Sequence, residues 1–216
     1  AQVEGIFISH EHSDHIAGLQ QLLKRFDIPV YTKQGTWREI QDKLIVPKNQ
    51  LIELTKGSLT LGNLIVEPFA VSHDAADPIG INVFAGKDKA TVVTDTGVVS
   101  DSILRRMDDT TLLVLEANYD PHMLRFGPYQ PFLKQRVASD EGHLSNEMAA
   151  QALLMMNRPD FMQVVLAHRS ENNNNAVLVT QTIGKMLVDG GVRIGPEMKL
   201  QHGQPNEIVS IQSVER

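Results

Sequence analysis

The chain has 216 residues and a mass of 24.0 kDa, with 42% hydrophobic and 21% charged side chains, a balance that excludes disordered and fibrous classes. No apolar run reaches transmembrane length, the first ten residues lack the basic start and apolar middle of a signal peptide, and the absence of cysteine removes disulfides, thiolate nucleophiles and thiolate metal ligands. Lys and Arg number 20 against 26 Asp and Glu, a net charge of −6, so contact with nucleic acid has to be local rather than a broad basic surface.

In chain order, Val3 to Ile8 reads as a buried strand that stops at Ser9. His15 to Phe26 reads as a helix, with Ile16, Leu19, Leu22, Leu23 and Phe26 on one apolar stripe. A short strand follows at Val30-Tyr31, then a helix-like run from Gly35 to Leu44 that places Trp37 in a core or groove. From Leu51 to Asp95 the pattern turns to strands, at Leu59 to Leu61, Leu64 to Phe69, Ile81 to Ala85 and Ala90 to Thr94, separated by Gly57, Gly62-Asn63 and Gly86-Lys87-Asp88. The remainder reads as a helix at Ser100 to Met107, a strand at Leu112 to Glu116, an irregular stretch to about Asp140, a helix at Asn146 to Asn157, a strand at Met162 to Ala167, a helix at Ala176 to Asp189 and a last strand at Ile208 to Ile211. Strands alternating with helices predict an α/β layered fold, and no composition shift divides residues 1–216 into more than one domain.

The chemistry begins at the end of the first strand. His10, His12, Asp14 and His15 put three imidazoles and a carboxylate within six residues, on a loop that is free to turn them inward together. Neutral imidazole with carboxylate suits zinc, manganese or iron. One such motif does not fill the shells of two ions, and three further polar residues end apolar runs where strands can converge: His73, Asp95 and His168.

The spacing H-x-H-x-D-H, with His73, Asp95 and His168 following in order, resembles the metallo-β-lactamase superfamily. The segments 9–19, 71–80, 94–97, 127–137 and 142–146 narrow the resemblance to the bacterial YycJ/WalJ group of metallohydrolases, over essentially the whole chain. The resemblance implies an αββα sandwich. It implies two divalent ions, zinc or manganese with iron also admissible, one on His10, His12 and His73, the other on Asp14, His15 and His168, with Asp95 between them. Such a pair lowers the pKa of a shared water and holds the oxygens of the group under attack. Asp14 would aim that water. Glu116, and His143 in its Gly-His-Leu-Ser setting, resemble an acid–imidazole pair of related tRNA-processing nucleases: His143 would contact the scissile phosphate or protonate the leaving oxygen, and Glu116 would orient it. For each a bland alternative stands, a helix-entry histidine and a strand-end loop cap.

The segment from Arg125 to Arg136 mixes basic and aromatic residues. One reading makes Arg125, Tyr129, Lys134 and Arg136 substrate contacts; the other makes this a solvated loop that Tyr129 and Phe132 anchor to the core. Ser170 to Asn174 are expected to fix His168 and cap the next helix, and His122 and His202 to be ordinary surface or loop histidines. Relatives carry further strands before the first one seen here, so the resemblance also predicts an unpaired sheet edge and a tendency to self-associate.

The leading expectation is a two-metal phosphodiesterase, a DNA 5′-exonuclease of cytoplasmic repair with DNA as its partner and no membrane. Hydrolysis of small esters, thioesters or lactones on the same centre is a second reading, and a non-catalytic, metal-stabilised regulatory module a third.

Overall fold

A computed structural model describes residues 3–47, 49–55, 57–204 and 207–211. Strands β1 (Ile6–Phe7), β2 (Val30–Thr32) and β3 (Leu51–Glu53) form a parallel three-stranded sheet in that order. Seven strands make the second sheet, in the order β10-β9-β8-β7-β6-β5-β4: β4 (Leu59–Leu61), β5 (Leu64–Ala70), β6 (Ile79–Ala85), β7 (Asp88–Val93), β8 (Leu112–Glu116), β9 (Met162–Ala167) and β10 (Met198–His202). The strands β4 to β7 form an antiparallel meander, while β7, β8, β9 and β10 run parallel.

Alternation along the strands explains the layering. In the small sheet Ile6, Ile8 and Val30 face α1 (Ser13–Ile16), α2 (Leu19–Leu23) and α3 (Gln34–Ile40), while Phe7 and Tyr31 turn the other way. Phe7 and Tyr31 stack with ring centroids 4.9 Å apart and pack with Ile79 and Ile81 of β6 between the sheets. The far face of the large sheet places Leu113, Leu115, Met162, Val164 and Leu166 against α4 (Asp101–Met107), α7 (Asn146–Met155) and α8 (Ala176–Asp189). The result is the αββα sandwich.

Direction of travel positions the site. Strand β5 runs antiparallel to β6, which runs antiparallel to β7, so β5, β7, β8 and β9 all end at one edge of the sheet. His73, Asp95, Glu116 and His168 lie at or just beyond those ends. Strand β1 delivers His10 to His15 from the other sheet to the same rim, where Ile79 N donates to Ser9 O at 3.2 Å.

Several expectations are corrected. The helix at residues 15–26 is two short helices interrupted at Ala17-Gly18, consistent with glycine's poor helix propensity, and its buried stripe shrinks to Ile16, Leu19 and Leu23 while Leu22 and Phe26 face solvent. The irregular stretch to Asp140 contains α5 (Pro121–Phe126) and α6 (Pro131–Val137), each with proline in its first turn, where the missing N–H costs nothing. The last strand is Met198–His202, not Ile208 to Ile211. Met198 is fully buried beside Met162, whereas Ile208 is 95% exposed and pairs with nothing among the described residues. Strand β1 is shorter than the Val3 to Ile8 run and lies at the edge of its sheet.

Candidate metal centre

Four loops build the cluster. The first follows β1: His10 is buried, and its Nδ1 lies 3.1 Å from Ser9 Oγ, which also lies 3.3 Å from His15 Nδ1. The turn into α1 then sets Asp14 and His15 side by side, His15 Nε2 lying 3.4 Å from Asp14 Oδ2. The second follows β5: His73 Nδ1 faces Gly142 O at 3.0 Å, which leaves Nε2 pointing to the cluster, 3.2 Å from His12 Nδ1. The third and fourth arrivals, Asp95 and His168, both take left-handed backbone, with φ of 56° and 52°. Non-glycine residues adopt that region at a cost, so the surrounding contacts hold them there. Gly97 N donates to Ser72 O, and Asn118 Nδ2 donates to His168 O at 2.8 Å.

Asp95 sits in the middle. Its Oδ2 lies 3.3 Å from His15 Nε2, and its Oδ1 lies 3.5 Å from His168 Nε2 and 3.7 Å from His73 Nε2. The donor atoms of His10, His12 and His73 lie within 4.8 Å of one another, as do those of Asp14, His15 and His168, and those of His10, His15 and Asp95. Among the described residues, buried His10 Nε2 and Asp95 Oδ2 have no hydrogen-bond partner. Such orphaned donor atoms in an imidazole–carboxylate cage fit a divalent cation.

The electrostatics show what the cage does to its own members. Burial, with His15 close by, pushes His10 down to about 3, so its ring stays neutral and able to ligate. Burial alone would raise Asp95, but His15, His168 and His10 outweigh it and hold the carboxyl well below its usual range. Asp14 is likewise held low, chiefly by its contact with His168. His168 is pulled down by burial yet pushed up to about 10 by Asp14, Glu116 and Asp95.

Glu116 is fully buried at the end of β8, and four groups converge on it. Its Oε1 lies 2.8 Å from His143 Nδ1 and 2.7 Å from His168 Nδ1; its Oε2 accepts from Thr96 N at 3.2 Å and Leu144 N at 3.1 Å. Burial would raise its pKa, but the two imidazoles reverse the sign. With no exposed surface it can act only through His143 and His168, as a positioning residue. His143 is near the surface of the cluster, its Nδ1 3.8 Å from Asp95 Oδ1.

The basic-aromatic segment divides. Tyr129 and Arg136 line a cleft of about 920 Å³ that His143 and His168 also line; Arg125 and Lys134 do not line it, and Lys134 Nζ is bonded to the Arg125 carbonyl at 2.8 Å. Tyr129 packs with Tyr119, Leu124 and Val137, so it anchors the segment, but Phe132 is 72% exposed and does not. Arg136 is paired through two bonds to Asp74, which in turn lies 3.5 Å from His73 Nε2. Asp74 was missed in the sequence, although it stands directly after His73. Asn174 bonds Ala117 O and Asn146, and Asn175, not an earlier residue, is the N-cap of α8. The His122 ring packs against Phe126 at a tilt, and His202 lies in β10 bonded to Thr180 rather than in a loop. Trp37 packs on the small-sheet core.

A beta-lactamase superfamily domain matches residues 1–168. The chain belongs to the metallo-β-lactamase superfamily. As a superfamily member it is a metal-dependent hydrolase, and its clustered His and Asp side chains are positioned for metal binding. Over 214 residues, 98% of this chain and 81% of the relative, it is 36% identical to exodeoxyribonuclease YycJ of Bacillus anthracis. Over 209 residues, 94% of this chain and 77% of the relative, it is 32% identical to exodeoxyribonuclease WalJ of Streptococcus pneumoniae. Among solved structures, the metallo-β-lactamase fold protein YhfI of Bacillus subtilis superposes with a TM-score of 0.67 at 17% identity, covering 91% of this chain and 74% of that one. No helix among the described residues is long and apolar enough to cross a membrane.

Proposed function

We propose that this superfamily hydrolase is a DNA exonuclease that works from 5′ ends and uses two divalent ions, zinc or manganese. The observation that carries the reading is that Glu116 accepts from both His143 and His168, which ties the imidazole assigned to the substrate to one assigned to an ion. The similarity to two exodeoxyribonucleases along nearly the whole chain supports the same substrate class.

His10, His12 and His73 would hold one ion and Asp14, His15 and His168 the other, with Asp95 shared. Bound there, the ions supply a water of lowered pKa and neutralise charge on the phosphate. The protein's own groups do the rest. Asp14, with its side chain largely open to solvent, accepts a hydrogen bond from the attacking water and fixes its direction. His143 donates its Nδ1–H to Glu116, which leaves Nε2 as the atom that faces the substrate and, when the ring is an imidazolium, donates a proton to it. As the P–O bond breaks, that proton passes to the leaving oxygen. Glu116 holds the ring in place through that bond.

The test is a paired measurement on wild-type protein and His143→Ala. Metal content is determined by elemental analysis, and the same samples receive 3′-labelled duplex DNA with manganese. Two ions per chain in both, stepwise shortening from the 5′ end by wild type and a loss of about 10²–10⁴-fold in the variant are expected. A variant with wild-type cleavage sinks the role of His143. A wild type that holds two ions and leaves DNA intact moves the activity to small esters.

A further inference from the structure

The cleft beside the metal centre contains a cation that none of the foregoing uses. Arg169 follows His168 directly and lines the same cleft as His143 and Tyr129. Its Nη1 is buried and has no hydrogen-bond partner among the described residues, and no ion pair to it is formed there. The other guanidinium of the cleft, Arg136, is already engaged by Asp74. Glu171 also lines the cleft but makes no bridge to Arg169 among the described residues. A buried guanidinium nitrogen without an acceptor is costly, and an anion drawn against the half-buried side chain would complete it.

The backbone that carries Arg169 is fixed rather than loose. His168 turns the chain through left-handed φ, and Ser170 N donates to Asn118 O at 2.9 Å immediately after it. Ser170 Oγ accepts from Asn173 N, which leads into the Asn175 cap of α8. That cap and Ala176 also border the cleft, so the positive end of a 14-residue helix adds to the guanidinium there. The charge is felt locally: besides burial, Arg169 holds the neighbouring His202 imidazole below its ordinary value.

We infer that Arg169 is a specificity-determining residue that receives a phosphate of the nucleic-acid backbone next to the one being cleaved. The inference rests on the nuclease reading for its substrate class. A planar guanidinium matches two phosphate oxygens at once, which a point charge does not. Because His143 and His168 line the same cleft, a strand that reaches the cluster through it brings a flanking phosphate past Arg169.

The experiment compares wild type, Arg169→Ala and Arg169→Lys, all manganese-loaded. Three substrates are used: a 5′-phosphorylated oligonucleotide, the same oligonucleotide with a 5′-hydroxyl, and bis(p-nitrophenyl) phosphate, which has one phosphate and nothing to offer Arg169. For Arg169→Ala the ratio of kcat/KM on DNA to that on the small diester is expected to fall about 10- to 100-fold, through KM, with partial rescue by lysine. The slope of log KM against log salt is expected to become shallower by about one phosphate contact. Loss confined to the 5′-phosphorylated strand assigns the site to a terminal phosphate; loss on both assigns it to an internal diester. An unchanged ratio overturns the inference, as does an equal loss on DNA and the small diester. Should wild type cleave neither oligonucleotide, the nuclease reading fails, and fluorescence anisotropy with the same strands decides the phosphate site: weaker binding by Arg169→Ala upholds it, equal binding overturns it.

Discussion

Both carboxylate oxygens of Glu116 are taken up inside the protein, one by two imidazoles and the other by two backbone N–H groups. Replacing it with glutamine keeps the volume and removes the charge that orients both rings. Glu116→Gln is expected to lower kcat by about 10²–10⁴-fold through His143 and metal affinity by about 10- to 100-fold through His168. Rate at saturating manganese, read beside metal titration, checks both; a variant with normal kcat would remove Glu116 from the mechanism. The ligand types also predict how the metal-free protein responds to pH. His10, lowered from 6.5 to about 3, contributes stability that is present above about 6.5 and lost as the pH falls through about 3. His168, raised from 6.5 to about 10, contributes stability fully present below 6.5 and lost as the pH rises through about 10. Chelated protein should therefore weaken on the alkaline side of 6.5, and His168→Gln should flatten that limb. Denaturation midpoints across pH 6–10 measure it; an equal slope in the variant counts against the assignment. Much of this scale was readable in advance. Histidines at 10, 12 and 15 declare themselves by spacing, because few other uses need three imidazoles in six residues. Asp74 and Arg169 did not, since one acid after a histidine and one arginine after another carry no pattern.

At the scale of elements, the loop that presents His143 depends on Gly142. A Cβ there would lie 2.3 Å from the carbonyl oxygens of Arg136 and Val137, both backbone atoms of α6 and unable to swing aside. The same residue's carbonyl receives His73 Nδ1. Gly142→Ala is expected to cost roughly 1–3 kcal/mol of stability and to weaken metal binding by displacing that carbonyl. Denaturant unfolding together with metal content tests it; a variant of wild-type stability would mean that α6 yields easily. Helices α5 and α6 were hidden in the sequence because each is under eight residues, too short for a periodic stripe to register, although the prolines at 121 and 131 mark their first turns. The stronger elements were legible for the opposite reason. Met162 to Ala167, apolar but for Gln163, is buried on both faces, as a central parallel strand requires. The strand expected at residues 208–211 failed because β-branched composition alone does not supply a partner.

For the whole molecule, the ion cage joins the two sheets: His10 to His15 arrive from β1, and His73, Asp95 and His168 from the ends of β5, β7 and β9. Ligands drawn from both layers make bound metal a cross-link between them, and any ligand that binds only the folded state raises its stability. Removal of metal by chelation should lower Tm by several degrees and be reversed by zinc or manganese. Calorimetry with and without chelator measures this; an unchanged Tm would mean that the sheets pack independently of the ions.

The sequence by itself determined the chemistry available: which side chains can ligate, that none is a thiolate, and that strands alternate with helices around a buried core. Those are local properties, written in residue type, spacing and period. The tertiary structure decided which of those groups meet. It set Asp95 among three imidazoles, gave Glu116 two rings to hold, kept Arg125 and Lys134 off the lining of the cleft and, among the described residues, left Arg169 Nη1 without a hydrogen-bond partner. Convergence of this kind depends on strand direction and order across long stretches of chain, and on two residues held in left-handed backbone by their neighbours, neither of which leaves a local signature.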